Sequence, residues 1–254
     1  MSTNPGWLAV VGVGPGAAEL VTPAAQASLD AATDVVGYRT YVDRLPLRPG
    51  LERHTSDNGD ELMRARHALE LARSGRRVAV VSSGDPGVFA MAAAVFEVLD
   101  ADPSLRDVAI EVFPGITAML AASARVGAPL GHDFCTINLS CNLKPWSLLE
   151  RRVRAAIEGD FATALYNPRS RRRPNDLDQI LDVIRSLVDD PRPVIFARAV
   201  STPDEAIIVT SLQDARGEMA DMRTVVLIGS SRTRQVPRPG SAVPHVYTPR
   251  FTPA

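Results

Sequence analysis

The chain of 254 residues is short of lysine, cysteine and long apolar runs, and each shortage removes a class of function. Nearly all of its 28 basic residues are arginine, and Lys144 is the only lysine. Schiff-base chemistry or a phosphate-binding P-loop would depend on Lys144. That residue lies between Leu143 and Pro145 with no glycine-rich loop around it, so neither is expected. Two cysteines, Cys135 and Cys141, are too few for a disulfide framework, and no CxxC pair suggests zinc. They read as ordinary buried thiols, and no metal site is expected. No apolar run approaches the roughly 20 residues that span a bilayer. Met1 to Trp7 lacks a basic-then-apolar signal pattern, so the expected location is the cytoplasm. The formal charge of −1 gives no net pull toward nucleic acid or an acidic membrane surface, and neither partner is expected.

What is present reads as a globular α/β protein, with 45% apolar and 22% charged residues. Leu8–Val13 is a short apolar run ending in glycines, the mark of a buried parallel strand. Thr22 and Pro23 offer an N-cap and a first-turn proline for a helix reaching about Ala32. Strands are expected at Asp34–Gly37, Val78–Ser82 and Ile110–Phe113. Helices are expected over Asp60–Arg73, about Val88–Leu99, and from the PGIT loop to Val126. This alternation predicts a parallel sheet covered by helices on both faces. Gly127–Gly131 reads as a linker between domains at 1–126 and 132–254. Beyond it, strands are expected at Phe134–Leu139, Ala162–Tyr166, Val194–Ala197, Ala206–Thr210 and Thr224–Ile228, with long helices only at Ser147–Glu158 and Asp176–Val188. Ala206–Thr210 follows its neighbour too closely for a crossover helix, so this second sheet should be partly antiparallel. The proline-rich tail from Gln235 is expected to be an irregular strap.

Three glycine loops follow strands of the first half. Gly12-Val-Gly-Pro-Gly16 is GxGxG rather than GxGxxG. Pro15 lacks the N–H a phosphate cradle would use, and the next helix starts too late to hold a pyrophosphate. The loop therefore reads either as a structural turn or as a side-chain-poor approach for a ligand. In Ser82-Ser-Gly-Asp-Pro-Gly87, Asp85 reads as the cap of the next helix with Pro86 at its first position, or as a ligand contact. Phe113-Pro-Gly-Ile-Thr-Ala118 repeats the pattern. Three such loops at strand ends describe a crevice floor that a flat ligand can approach closely.

With SGDPGVF at Ser83–Phe89, PGITA at Pro114–Ala118, GAPLGHDF at Gly127–Phe134, Tyr166-Asn-Pro168 and TVVLIGSSRTR at Thr224–Arg234, the GVGPG loop resembles the tetrapyrrole (class III) methyltransferases. GYRTYVDRL at Gly37–Leu45, the LS…PW stretch at Leu139–Trp146 and YNPRSRRR at Tyr166–Arg173 resemble the branch that methylates precorrin-3B at C(17) and contracts the ring to precorrin-4 in cobalamin biosynthesis. The resemblance implies a homodimer of two-domain α/β subunits, with S-adenosyl-L-methionine in a cleft between the domains. In the first half, the implied cofactor contacts are Pro15, Ser83, Gly84, Asp85, Val88, Phe89, Thr117 and Ala118. In the second half they are Tyr166, Asn167, Ala199 and Thr224. The GVGPG loop, through Gly14, would face the tetrapyrrole.

Methyl transfer asks the protein mainly for alignment and exclusion of water. Ring contraction adds proton transfers, for which Asp85 is a candidate beside Tyr38, Arg39 and His132, the three expected to be catalytic. His132 also reads as a loop histidine with one backbone bond, and Tyr38 as packing at a strand end. Arg169, Arg171, Arg172 and Arg173 offer planar forks for substrate carboxylates, Arg169 and Arg171 foremost, or else form a solvated charged loop. The chain departs from the family pattern at Cys141, where an acidic residue is expected, and at Ala197–Ser201, where an asparagine and a glycine are missing. Arg39 stands where uroporphyrinogen methylases carry an acid. The alternatives are a sibling corrin methylase or its cobalt-precorrin version, an inactive cofactor-binding regulator, and a nucleotide-dependent oxidoreductase.

Overall fold

The computed structural model describes residues 6–57 and 59–251. Most of the amino-terminal stretch read for a signal, Met1–Pro5, and the last three residues of the tail lie outside them. The chain forms two compact units, Met1–Thr117 and Ala118–Ala254.

In the first unit, strands β1 (Trp7–Gly12), β2 (Asp34–Tyr38), β3 (Glu52–Ser56), β4 (Arg77–Ser82) and β5 (Ala109–Phe113) make one sheet in the order β3-β2-β4-β1-β5. All its pairings are parallel. Alternate residues of β1 point to opposite faces, as the period of a strand requires. Leu8 and Val10 pack with Ala65, Ala68 and Leu69 of α3 (Glu61–Arg73) and with Val95 and Val98 of α4 (Met91–Ala101). Ala9 and Val11 pack with Ala25 and Leu29 of α1 (Pro23–Ala31) and Val42 of the short α2 (Arg39–Val42). Helices thus cover both faces, as the alternation predicts. Thr22 caps α1 by accepting from the Ala25 N–H at 3.2 Å.

The first sheet contains a strand that the sequence reading leaves out. β3 reads Glu-Arg-His-Thr-Ser, too polar for an apolar-run criterion, because it is an edge strand. Its N-terminal end is held by charge. Asp34 is fully buried, accepts Nε and Nη2 of Arg76 at 2.7 and 2.9 Å, and accepts the Thr33 hydroxyl at 2.6 Å. His54 Nε2 lies 3.0 Å from the same carboxylate, and Arg76 also reaches Glu52 at 3.0 Å.

The second unit begins with α5 (Ala118–Val126), so the boundary between units falls ahead of the Gly127–Gly131 segment read as the linker. That segment instead opens with a two-residue strand, β6 (Gly127–Ala128). The main sheet contains β7 (Phe134–Asn138), β8 (Ala162–Tyr166), β9 (Pro193–Arg198), β10 (Ala206–Ser211) and β11 (Thr224–Ile228), ordered β10-β9-β11-β8-β7. Only β7 and β8 run parallel; the other pairings are antiparallel, giving the expected mixed sheet. Helices α6 (Trp146–Glu158) and α7 (Asp176–Arg185) bury Leu149, Val153, Ile157, Leu177, Ile180, Leu181 and Ile184 against it. The tail is not an irregular strap. β12 (Arg234–Val236) and β13 (His245–Tyr247) pair with each other, and β13 pairs parallel to β6. Val246 is wholly buried, and Thr248 donates to the Pro129 carbonyl at 2.6 Å and shares a 2.8 Å bond with Thr233.

Candidate active site

Parallel register brings the ends of β1, β4 and β5 side by side, with Gly12 opposite Ser82 and Val11 opposite Phe113. The three glycine loops leave from this carboxyl edge, where open parallel sheets present ligand sites. They are locked to one another through backbone. Gly14 N–H donates to the Gly84 carbonyl at 3.2 Å, and Gly84 N–H returns to Gly14 at 2.7 Å. A Cβ on Gly12 would lie 2.6 Å from the Gly84 oxygen, and one on Gly115 only 2.1 Å from it. Side chains at either position would force the loops apart.

Asp85 completes this lock and does not cap a helix, contrary to that reading of its sequence. Its Oδ1 accepts from Gly87 N–H at 2.8 Å and its Oδ2 from Gly115 N–H at 3.1 Å, joining the second loop to the third. Helix α4 starts later than expected, at Met91, whose N–H donates to the Ser82 hydroxyl at 3.2 Å. The delay reflects Phe89, which turns through φ of 54°. Pro15, Ser83 and Val88 are half-buried, and Thr117 is buried. The first loop runs into a 3-10 turn at Ala18–Leu20, and α1 waits until Pro23.

The same sheet edge carries Tyr38, at the end of β2. Its ring meets Tyr41 edge-on, centroids 5.3 Å apart at 86°, and the Arg44 guanidinium lies 5.9 Å from the Tyr41 ring centre. Burial pushes the Tyr41 phenol above its ordinary pKa and keeps it protonated. Arg39 is exposed. Sequence reasoning missed Arg64, a buried guanidinium on α3. It donates to the Ser56 hydroxyl at 2.8 Å, the Asp57 carbonyl at 2.7 Å and the Met91 sulfur at 3.3 Å, all uncharged. No pattern marks it, because its neighbours arrive from two separate segments, Ser56–Asp57 and Met91.

In the second unit, Tyr166 and Asn167 leave the end of β8. The Tyr166 hydroxyl accepts from Met119 N–H at 2.9 Å, near the start of α5, where Ala118 is half-buried. Asn167 has φ of 52° and donates its amide to Asn138 Oδ1 at 3.1 Å. Ala199, buried at the end of β9, has φ of 47° and donates to the Arg223 carbonyl at 2.9 Å. Among the described residues, five non-glycine residues have positive φ, and three of them (Phe89, Asn167 and Ala199) belong to the cofactor set expected from sequence. Such backbone strain concentrates at ligand sites. The Thr224 hydroxyl donates to Asp221 Oδ1 at 2.9 Å. Burial would raise the Asp221 carboxyl, but bonds from Arg198, the Arg223 N–H and Thr224 outweigh it and hold the pKa below the usual range.

The arginines after the YNP turn divide. Arg171 and Arg172 are exposed, and Arg169 donates its Nε to the Pro174 carbonyl at 3.0 Å. Arg173 turns inward to backbone carbonyls and to Asp176, so it is not part of a solvated loop or a free substrate fork. His132 is exposed, and its Nδ1 accepts the Asp133 N–H at 2.8 Å. That is the backbone bond of a loop histidine. Cys135 and Cys141 are free and half-buried, and burial raises the Cys135 thiol. Among the described residues, one cluster has metal-type donors, Asp34, Glu52 and His54. Arg76 occupies both oxygens of Asp34, which disfavours a cation there. No helix among those residues is long and apolar enough to cross a membrane.

Residues 8–216 match the family of tetrapyrrole (corrin/porphyrin) methylases. The chain is 52% identical over 247 residues to a precorrin-3B C(17)-methyltransferase of a Sinorhizobium species, covering 97% of each. It is 45% identical over 252 residues to the cobalamin biosynthesis protein CobIJ of Mycobacterium tuberculosis, spanning 98% of this chain and 49% of that one. Among solved structures, the methyltransferase CobJ superposes with a TM-score of 0.92 and 57% identity, covering 96% of this chain and all of that one. A uroporphyrin-III C-methyltransferase of Thermus thermophilus, in complex with S-adenosylhomocysteine, gives a TM-score of 0.69 at 25% identity, covering 89% and 93%.

Proposed function

The chain belongs to the tetrapyrrole (corrin/porphyrin) methylases, and on that premise we propose that it transfers a methyl group from S-adenosyl-L-methionine to C(17) of precorrin-3B, with ring contraction to precorrin-4. The observation that carries this reading is the 52% identity to a precorrin-3B C(17)-methyltransferase along nearly the full length of both chains. The local geometry suits this cofactor. The glycine loops offer close backbone approach without a phosphate cradle, since Pro15 has no N–H and no helix starts at the first loop. S-adenosylmethionine carries no phosphate and asks for main-chain donors and acceptors.

Bound there, the cofactor supplies a methyl group on a good leaving group. The protein then aligns the acceptor carbon and keeps water away. The proposed holding residues in the first unit are Pro15, Ser83, Gly84, Asp85, Val88, Phe89 and Thr117. In the second they are Ala118, Tyr166, Asn167, Ala199 and Thr224. Asp85 acts by fixing the loops, its carboxylate being engaged by Gly87 and Gly115. Gly14, Arg169 and Arg171 are assigned to the substrate, the arginines pairing with its carboxylates. Tyr38 is the favoured proton-transfer group, beside the neutral Tyr41 phenol, with Arg39 and His132 as further candidates. The working form is proposed to be a cytoplasmic homodimer, with light scattering of the purified chain as its check.

The direct test incubates the protein with S-adenosylmethionine and precorrin-3B. Gain of one methyl by the tetrapyrrole, matched by release of S-adenosylhomocysteine, is expected. Tight S-adenosylhomocysteine binding with no turnover of any precorrin would instead indicate a cofactor-binding regulator. The double variant R169Q/R171Q is expected to weaken tetrapyrrole binding about tenfold and leave S-adenosylhomocysteine affinity unchanged.

A further inference from the structure

The parallel ladder between β7 and β8 breaks at a proline, and the Arg173 side chain replaces the lost bond. Leu139 N–H donates to the Tyr166 carbonyl at 2.8 Å. In a parallel ladder the next bond back to Leu139 comes from residue 168, but Pro168 has no N–H. Arg173 Nη1 supplies it, donating to the Leu139 carbonyl at 3.2 Å. The same guanidinium grips the Asn167 carbonyl through Nη1 and Nη2, both at 3.3 Å, and is itself held by Asp176 at 3.4 Å. Lys144, the chain's only lysine, donates to the Asn138 carbonyl. Asn138 Oδ1 in turn accepts both the Asn167 amide at 3.1 Å and Ser140 N–H at 2.9 Å. The result holds Asn167 at φ of 52°, a conformation that a non-glycine residue keeps only when its surroundings impose it.

We propose that Arg173, with Asn138 and Lys144 beside it, is a positioning residue that clamps the Tyr166–Asn167 turn in the shape that receives the cofactor. Asn167 spends its carbonyl and its Nδ2 on the clamp, so its N–H is the main-chain donor left for a ligand. The assignment takes Arg173 away from the substrate carboxylates and gives it to the cofactor half of the site. It rests on the S-adenosylmethionine reading above.

Calorimetry with S-adenosylhomocysteine as the probe tests it on the full chain. Arg173→Gln is expected to weaken binding about tenfold. Asn167→Gly placed in the R173Q background is expected to recover most of that loss, because glycine takes a positive φ without restraint. A general loss of fold would not be rescued in this way. R173Q binding within twofold of the parent, or a double variant no better than R173Q, overturns the proposal. Should R173Q not fold, Asn138→Ala removes the second tether and carries the same comparison. A crystal structure of ligand-free R173Q gives a separate readout: Asn167 leaves positive φ if the clamp holds it, and its staying there overturns the clamp. If the parent itself binds no S-adenosylhomocysteine, the cofactor reading fails, and the crystal structure still decides the clamp.

Discussion

The glycine loops of the first unit and the YNP turn of the second fix their backbones by opposite means. Gly12, Gly84 and Gly115 interlock because no side chain stands between them, and only the Asp85 carboxylate is added as a bolt. Asn167 is fixed by side chains: the Asn138 amide, itself backed by Lys144, and the Arg173 guanidinium, which replaces a ladder bond the proline removes. The first device tolerates no added atom. The second depends on side chains that reach in from neighbouring segments. Packing of backbone on backbone leaves a surface with few polar side chains, suited to the flat face of a large ligand. A side-chain clamp leaves defined polar groups at one point, suited to orienting a smaller one.

The largest effect is expected in the first device. Gly115→Ala puts a methyl where 2.1 Å is available against a carbonyl, so the loops must separate. We expect a loss of at least about 3 kcal/mol in stability and of measurable cofactor binding, read by thermal unfolding and calorimetry. Unchanged binding would mean that the three loops need not touch.

The next effect lies at the other end of the same sheet. Burial raises the Asp34 carboxyl, but Arg76, Thr33 and His54 more than offset it and hold the pKa below the ordinary value. The unfolded chain therefore binds the proton more readily, and the stabilisation from Asp34 is present above about pH 4. It is lost as the pH falls through the lower, folded value. Asp34→Ala is expected to cost about 3 kcal/mol at neutral pH, by stripping Arg76 of its buried partner, and to flatten the acid limb of the stability curve. Since Asp34 opens β2, at the opposite end of the strands from the glycine loops, cofactor affinity per folded molecule should not change. If affinity falls as well, the loops depend on the sheet's far edge.

The smallest effect sharpens the contrast. Ala199 holds φ of 47° while its N–H donates to the Arg223 carbonyl and its own carbonyl accepts the Thr202 N–H and hydroxyl. Ala199→Gly relieves the left-handed conformation and also frees the unfolded chain, so the net change in stability should stay within about 1 kcal/mol. A larger loss would mean that the alanine methyl itself is packed, making this turn a third kind of device.

Much of this was legible in sequence, for identifiable reasons. The apolar runs of β1 and β4, the Thr22-Pro23 cap and the missing crossover before β10 are local signals, and each reads directly onto structure. β3 was not legible because an edge strand can be polar, and its pairing depends on Asp34 of β2. β12 and β13 were hidden by prolines, since pairing with β6 across more than a hundred residues overrides local preference. The loops were legible as loops, but the roles of Asp85 and Arg173 were not. Asp85 looked like a cap because the turn at Phe89 that delays α4 has no sequence mark. Arg173 looked like its three arginine neighbours, and only the missing N–H of Pro168 sets it apart.

The central claim, methylation of a corrin precursor at one carbon, is tested most directly by locating the transferred methyl. With carbon-13-labelled S-adenosylmethionine and precorrin-3B, the product's NMR spectrum should show the label at C(17) of a ring-contracted macrocycle. Label at any other carbon would contradict it.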